Sequence, residues 1–270
     1  AWQDKVWSWD IEAISLHFYT NESTWPPRFD SEEFGEDGYA ELVEDTLRMD
    51  GIIAQHSATM DRHDPEKKIA LMVDEWGVWL KPLPGTDPGF LAQQNSLRDA
   101  VIAALNINIF ARHADRVRGA NIAQMVNVLQ AMILTDGPRM VLTPTYHVFH
   151  MYRPFQDATF VPVSFDAGTY THGEWSMPRV DAIAARDAQG ALWLAVTNVD
   201  PSRAASLRIE AEGLQVQSAS GQVLSAPQVN ARNTFDAPDA VAPKEVSVQA
   251  QDGILTLEAP GKSVLVVRLR

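Results

Sequence analysis

The strongest constraint on the fold is an alternation of apolar runs with helical segments along the first half of the chain. Two short runs, at 14–19 and 69–73, are largely apolar, and a third strand-like run covers 121–128. Between these runs, apolar side chains recur at helical spacing over 38–55 and 97–109. Strands that are apolar on both faces are typical of parallel sheets covered by helices on both sides. The pattern therefore predicts a series of parallel βα units.

The sequence pattern changes near residue 155. In the second part, short runs alternate between apolar and polar residues and are separated by turns, as at 191–196 and 263–269. Such runs are typical of an antiparallel β-sandwich. The sequence therefore predicts a mixed fold, in which an α/β part at 1–152 precedes an all-β part at 153–270.

Composition narrows the classes of function. The chain carries 22 basic and 35 acidic residues, a net charge of −13, without a basic cluster, so nucleic acids and anionic membranes are poor partners. No apolar run approaches the roughly 20 residues that span a bilayer. The absence of cysteine excludes disulfides, thiolate metal sites and a cysteine nucleophile. A neutral or weakly charged substrate, such as a sugar, fits this charge balance better.

Polar side chains stand at the ends of the three predicted strands. His17 and Tyr19 end the first, Glu75 follows the second, and Gln124 lies in the third. Catalytic groups of βα barrels lie at the carboxyl ends of strands. A tyrosine can donate a hydrogen bond to a carboxylate nucleophile, and Trp76 offers a flat apolar wall for a sugar ring. A lone glutamate after a strand is usually solvated or ion-paired. Together with these neighbouring polar and aromatic residues, however, Glu75 resembles half of a glycosidase site.

Strand alternation gives expectations about orientation. Glu75 is expected to share its face with Leu71 and Val73, and Asp74 is expected to point the other way without a catalytic role. The inner face of the strands, including Leu71 and Val73, would then meet water unless a further segment covers it.

Two other groups of polar residues were weighed. The histidines and aspartates of 56–64 do not match a zinc-binding spacing, and a solvated helix end with capping aspartates is the favoured interpretation. Trp175 near His172 is compatible with a sugar contact and equally with packing between the two parts of the chain. The sequence therefore predicts no metal site.

A specific resemblance joins these observations. Residues 74–79, Asp-Glu-Trp-Gly-Val-Trp, resemble the nucleophile motif of glycoside hydrolase family 51, the α-L-arabinofuranosidases. The segments at 14–20 and 120–128 are similar to the family's preceding strand and last barrel strand. Shorter matches follow in the same order at 113–117, 142–146 and 233–238.

The resemblance implies a role for each candidate residue. Glu75 matches the nucleophile of a retaining mechanism, and Tyr19 matches the tyrosine that hydrogen-bonds to it. His17 matches a histidine in or beside the site, Trp79 a tryptophan that lines the sugar pocket, and Gln124 a glutamine that contacts the arabinose hydroxyls. The family needs no metal or organic cofactor, and its members often form hexamers, so a homo-oligomer is expected.

The resemblance also implies a fold that this chain holds only in part. The family has a (β/α)8 TIM barrel followed by a jelly-roll-like β-sandwich, and the three strands found here match the sixth to the eighth. The family's acid/base glutamate follows an asparagine on the fourth strand, and Asn21-Glu22 lies in a loop and is not that pair. We therefore expect a companion N-terminal segment or chain to complete the barrel. Gly77 and Phe18 differ from the usual family residues, which affects subsite detail only.

The expected function is release of terminal α-L-arabinofuranosyl groups from arabinose-containing saccharides. Alternatives are an endo-glucanase or xylanase of the same mechanism, distinguished by an open cleft, and a non-catalytic carbohydrate-binding fragment, distinguished by lack of the acid/base. No signal-peptide pattern occupies 1–20, so a cytoplasmic location is expected. Because the chain begins at Ala1 without a methionine, it looks excised, and secretion after loss of a leader is the alternative.

Overall fold

The computed structural model describes residues 10–20, 27, 29–213, 215–252 and 254–270. In the first part, strands and helices alternate in the order β1 (Ala13–Thr20), α1 (Glu36–Asp61), β2 (Ala70–Val78), α2 (Leu97–Arg112) and β3 (Val117–Ile122). The three strands form one parallel sheet in the order β1-β2-β3. The predicted βα units are confirmed, and within the described residues the sheet stays open, with β1 and β3 at its edges.

Strand β3 begins and ends earlier than the predicted run at 121–128. Its last residue, Ile122, is followed by Ala123, whose backbone N–H donates to the carbonyl of Trp76. Beyond that bond the chain turns, because Asn127 and Leu129 adopt positive φ angles of 61° and 51°, which a strand cannot contain. The prediction was wrong there because an apolar run does not reveal left-handed backbone.

Strand β2 contains one residue more than its neighbour over the same length. Ser15 of β1 is aligned with Met72, but His17, two positions later, is aligned with Glu75, three positions later. The pairing of β2 with β3 shifts over the same stretch. A β-bulge of this kind interrupts the alternation of side chains between the two faces of a sheet.

The bulge overturns the expected orientation of this strand. Val73 and Trp76 are three positions apart, yet both lie in the core with Leu71, in the cluster that includes side chains of α1 and α2. The two residues between them, Asp74 and Glu75, both reach His17 on the opposite face. Leu71 and Val73 therefore face the helices of this chain, and the expectation that they share a face with Glu75 was wrong.

The second part is the predicted antiparallel sandwich. Its strands are β6 (Thr159–Val161), β9 (Val180–Arg186), β10 (Leu192–Asn198), β11 (Ala205–Ile209), β12 (Ser218–Leu224), β13 (Lys244–Gln249), β14 (Leu255–Ala259) and β15 (Ser263–Leu269). Six of them form a sheet in the order β13-β12-β15-β10-β9-β6, and β11 pairs with β14 in a second sheet. Between the two parts lie the hairpin β4 (Ile133–Asp136) and β5 (Arg139–Leu142) and the helix α3 (Pro144–Met151). A second hairpin pairs β7 (Thr169–His172) with β8 (Trp175–Pro178).

Helix α2 lies between the parallel sheet and the sandwich. A capping box formed by Ser96 and Asp99 begins it. One face of the six-stranded sheet, through Ile183 and Ala195, belongs to the same core cluster as Ala103 of α2. The opposite face of that sheet forms a separate core with β11 and β14. The predicted boundary between 152 and 153 falls between α3 and β6 and stays a prediction, because one core extends across it.

The groups that were set aside have structural partners. Asp61 and Asp64 pair with the fully buried Arg116, and among the described residues no group of histidine and acidic side chains is placed to hold a metal ion. Trp175 stacks on His172 and packs partly buried against the core that includes α1. Asn21-Glu22 lies outside the described residues. In the part of the chain that the structure describes, no helix has the length and apolarity to cross a membrane.

Candidate active site

Glu75 lies at the carboxyl end of the parallel sheet, where β1 and β2 run side by side. The bulge in β2 turns its side chain toward the face that carries His17 and Tyr19 of β1. The side chain is 37 % exposed, so a ligand can reach its carboxylate. The sequence prediction that these three residues meet is therefore confirmed by their geometry, whereas their catalytic roles stay predictions.

Tyr19 holds one oxygen of this carboxylate. Its phenolic Oη donates a hydrogen bond to Glu75 Oε1. Burial raises the pKa of Tyr19, and the hydrogen bond to Glu75 and the negative charge of Glu75 raise it further. The phenol consequently keeps its proton well above neutral pH and remains a donor. Its ring meets Trp79 edge to face, with ring centroids 5.0 Å apart, which limits its rotation.

His17 holds the other oxygen. Its Nδ1 lies 3.0 Å from Glu75 Oε2, and its Nε2 lies 3.1 Å from Asp74 Oδ1. The hydroxyl of Ser15, two positions earlier on β1, donates to the same Asp74 oxygen at 2.7 Å. Sequence reasoning missed Asp74 and Ser15, because the alternation that it assumed places Asp74 on the far face.

Trp76 does not line this site. Its side chain is 1 % exposed and stacks on Phe149, with centroids 6.0 Å apart, and it meets Phe110 edge to face. The prediction that it forms a wall for a sugar ring was wrong, since the bulge keeps it on the core face with Val73. Trp79 lies beside Tyr19 at this edge of the site.

Gln124 lies at the start of the loop after β3. It is exposed, and its backbone N–H donates to the carbonyl of Val128. Its neighbour Ala123 is bonded to Trp76, so the loop leaves the sheet beside Glu75. Within the described residues its side chain makes no hydrogen bond, and its role as a sugar contact stays a prediction.

Gly77 explains how the backbone continues past the bulge. Its φ of 152° favours glycine, and a Cβ there would lie 3.2 Å from the Ala123 carbonyl oxygen. The buried Gln130 side chain fills the adjacent space, accepting from Val78 N–H and donating to the Asp99 carbonyl. The site is thus supported by Gly77, which departs from the usual residue of the 74–79 motif, and by Gln130, which no motif marked.

The arrangement presents one carboxylate with the Tyr19 hydroxyl donating to Oε1 and a His17 nitrogen 3.0 Å from Oε2. A carboxylate held in this way is directed at a fixed point, as nucleophilic attack on a sugar requires. Retaining glycosidases add a second carboxyl group about 5–5.5 Å away.

Comparison with known proteins shows which family this chain resembles. Residues 74–263 match the family described as the α-L-arabinofuranosidase C-terminal domain. An intracellular exo-α-L-arabinofuranosidase of Bacteroides ovatus is 37 % identical over 264 residues, which cover 96 % of this chain and 51 % of that protein.

Solved structures agree. The GH51 arabinofuranosidase from Xanthomonas axonopodis pv. citri superposes with a TM-score of 0.93 at 49 % identity, covering 96 % of this chain and 53 % of that one. The arabinose complex of a Thermotoga maritima α-L-arabinofuranosidase, 24 % identical over 96 % of this chain and 52 % of that one, shares the fold with a TM-score of 0.77. The chain spans about half the length of these relatives. The chain therefore belongs to the α-L-arabinofuranosidase C-terminal domain family, with the fold of the corresponding portion of the GH51 arabinofuranosidases.

Proposed function

We propose that the complete protein is a retaining exo-glycosidase that releases terminal α-L-arabinofuranosyl groups, with Glu75 as its nucleophile. The observation that carries this proposal is a carboxylate at the carboxyl end of a parallel strand, with the Tyr19 hydroxyl donating to Oε1 and His17 Nδ1 3.0 Å from Oε2. Trp79 and Gln124 are the proposed sugar contacts. Relatives named as exo-α-L-arabinofuranosidases support the choice of sugar.

The reaction proceeds in two steps. The Glu75 carboxylate forms a bond to the anomeric carbon while the glycosidic C–O bond breaks, and a carboxylic acid protonates the departing oxygen. The resulting carboxylate then takes a proton from water, whose oxygen attacks the anomeric carbon and releases Glu75. Tyr19 and His17 hold the Glu75 side chain in position for attack, and its carboxylate is regenerated when water displaces it from the anomeric carbon.

The second carboxyl group belongs to the proposed companion segment. The chain spans about half the length of its relatives, and within the described residues the three parallel strands leave both edges of their sheet unpaired, whereas a (β/α)8 barrel closes with eight strands. We propose that a separate or upstream segment supplies the remaining strands and the acid/base glutamate. A homo-oligomer, with the hexamer as the first candidate, and an intracellular location are proposed on the same family grounds.

A trapped intermediate tests the proposal directly. The complete protein is incubated with an activated 2-deoxy-2-fluoro-α-L-arabinofuranoside, whose glycosyl-enzyme hydrolyses slowly, and is then digested for peptide mass spectrometry. We expect the fluorinated sugar on the peptide that contains Glu75, and none on a Glu75→Gln variant. A label on another carboxylate, or rapid release of inverted product without a label, overturns the proposal.

A further inference from the structure

The imidazole of His17 lies between two carboxylates. Its Nδ1 faces Glu75 Oε2 at 3.0 Å and its Nε2 faces Asp74 Oδ1 at 3.1 Å, both within hydrogen-bond distance. These three residues meet because the bulge brings the consecutive side chains of Asp74 and Glu75 to one face of the sheet.

The protonation state of the His17 ring can be argued from the number of protons that the three groups share. Ionised carboxylates only accept, and a neutral imidazole carries one N–H, so the ring can donate toward both carboxylates only when it carries a second proton. The neighbouring hydroxyls do not solve this, because Ser15 donates to Asp74 and Tyr19 donates to Glu75 without touching the ring. With both carboxylates ionised, as a nucleophile requires, the imidazole is the only one of the three groups that can carry this second proton.

We propose that Asp74 is a positioning residue that acts through His17: by accepting from Nε2 it keeps both ring nitrogens protonated and so holds a second donor on Oε2 of Glu75. The inference rests on the proposed role of Glu75 as nucleophile. Ser15 also holds the Asp74 carboxylate in place, because its hydroxyl donates to Oδ1, the oxygen that His17 faces.

The charge of Asp74 matters as much as its position. Without Asp74, an imidazolium beside Glu75 would make the Glu75 carboxylate a weaker nucleophile. It would also lose its only negatively charged neighbour when Glu75 becomes an uncharged ester. The negative charge of Asp74 neutralises the imidazolium both before and after attack. Formation of the ester then removes only the charge of Glu75. Because the imidazolium keeps a charged partner after Glu75 has become an ester, Asp74 favours formation of the intermediate.

The test compares three variants of the complete enzyme. Asp74→Asn removes the charge while keeping the shape, and Asp74→Glu restores the charge. Asp50→Asn is the matched control, because Asp50 Oδ1 lies 2.9 Å from Nε2 of His113, a histidine–aspartate pair outside the site. Histidine nitrogen-15 spectra are recorded near neutral pH, with the His17 signals assigned by their loss in His17→Gln, and kcat and KM are measured with an aryl α-L-arabinofuranoside.

We expect both His17 nitrogens to carry protons in the wild type and in Asp50→Asn, and only one in Asp74→Asn. For Asp74→Asn we expect kcat to fall about 10- to 100-fold, as for loss of a charged hydrogen-bond partner, with KM within about threefold. Asp74→Glu should recover both the second ring proton and part of kcat.

Three results would overturn the inference. They are a single ring proton on His17 in the wild type, two in Asp74→Asn, or a kcat for Asp74→Asn within about twofold of wild type, which is too small for a lost hydrogen bond to charge. Failure of the nucleophile assignment looks different, because the fluorosugar label then appears away from Glu75 whatever the His17 spectrum shows.

Discussion

At the scale of single residues, the proposed reactivity of Glu75 depends on the groups that contact its carboxylate and on the absence of a lysine or arginine partner among the described residues. Tyr19 and His17 hold its two oxygens, and no lysine or arginine is paired with it among the described residues. A guanidinium partner would bind the carboxylate more strongly but would also hold its electrons back from the sugar. Neutral or balanced donors orient the group without that penalty.

Glu75→Gln should nearly abolish turnover of an aryl α-L-arabinofuranoside by the complete protein. The substitution keeps the size of the side chain and removes its nucleophilic charge, which costs many powers of ten in rate. The measurement is kcat, with circular dichroism to check the fold. A variant that retains more than about a tenth of wild-type activity would contradict the assignment, since that loss corresponds to only about 1.4 kcal/mol of barrier.

Tyr19→Phe should reduce kcat less severely, by roughly 10- to 150-fold, because it removes one hydrogen bond to a charged group worth about 1.5–3 kcal/mol. Tyr170→Phe is the matched control, since Tyr170 donates to Glu36 at 3.0 Å in another tyrosine–glutamate pair, in the hairpin packed on α1. We expect the control to keep wild-type kcat. Equal losses in the two variants would argue against a special role for Tyr19.

At the scale of elements, the bulge in β2 decides which side chains form the site. Without it, strict alternation after Val73 would bring Glu75 to the core face, among the apolar side chains of α1 and α2. Gly77 lets the strand continue past the bulge with a φ of 152°. The geometry of the candidate site therefore depends on two backbone features, the bulge and Gly77, as much as on the carboxylate.

Gly77→Ala should destabilise the protein by about 1–3 kcal/mol, the usual cost of a residue held at a disfavoured φ, and lower kcat by displacing Glu75. The added Cβ would also press on the Ala123 carbonyl oxygen, 3.2 Å away. Gly51→Ala is the control: Gly51 lies exposed in α1 with nothing within 4 Å of a Cβ, so alanine should stabilise by about 0.5–1 kcal/mol. Thermal denaturation of both variants measures the difference, and opposite signs are expected.

The same elements show what sequence could predict. Apolar periodicity placed β1, α1, β2 and α2, and strand ends brought Tyr19 and Glu75 together. Periodicity assumes an unbroken two-residue repeat, so it could not reveal the bulge, and it therefore misplaced Asp74 and Trp76. It also extended β3 through Asn127, whose positive φ depends on contacts with the neighbouring hairpin rather than on local composition.

At the scale of the whole molecule, α2 joins the site to the sandwich. Arg112 and Asn108 on this helix both bind Asp181 of β9, with Arg112 Nη1 2.8 Å from the carboxylate. Tyr39 of α1 donates to the Val199 carbonyl at 2.6 Å, just after β10. The sandwich thus supports the helix layer on which β2 rests, and the two parts are expected to unfold together.

The last prediction concerns the open edges of the parallel sheet. Because Leu71 and Val73 are already buried in this chain, exposed apolar surface is not what demands a companion. A companion is needed instead because, in the part of the chain that the structure describes, the outer edges of β1 and β3 have no neighbouring strand, and a barrel would pair their N–H and C=O groups. We expect backbone amides of β1 to exchange with solvent faster in this chain alone than in the complete protein, whereas those of β10, inside the six-stranded sheet, should differ little.

A structure of the active assembly should place a companion glutamate carboxyl about 5–5.5 Å from that of Glu75. A nearest carboxylate about 9 Å away would indicate inversion and remove the retaining mechanism, and full activity of this chain by itself would refute the companion.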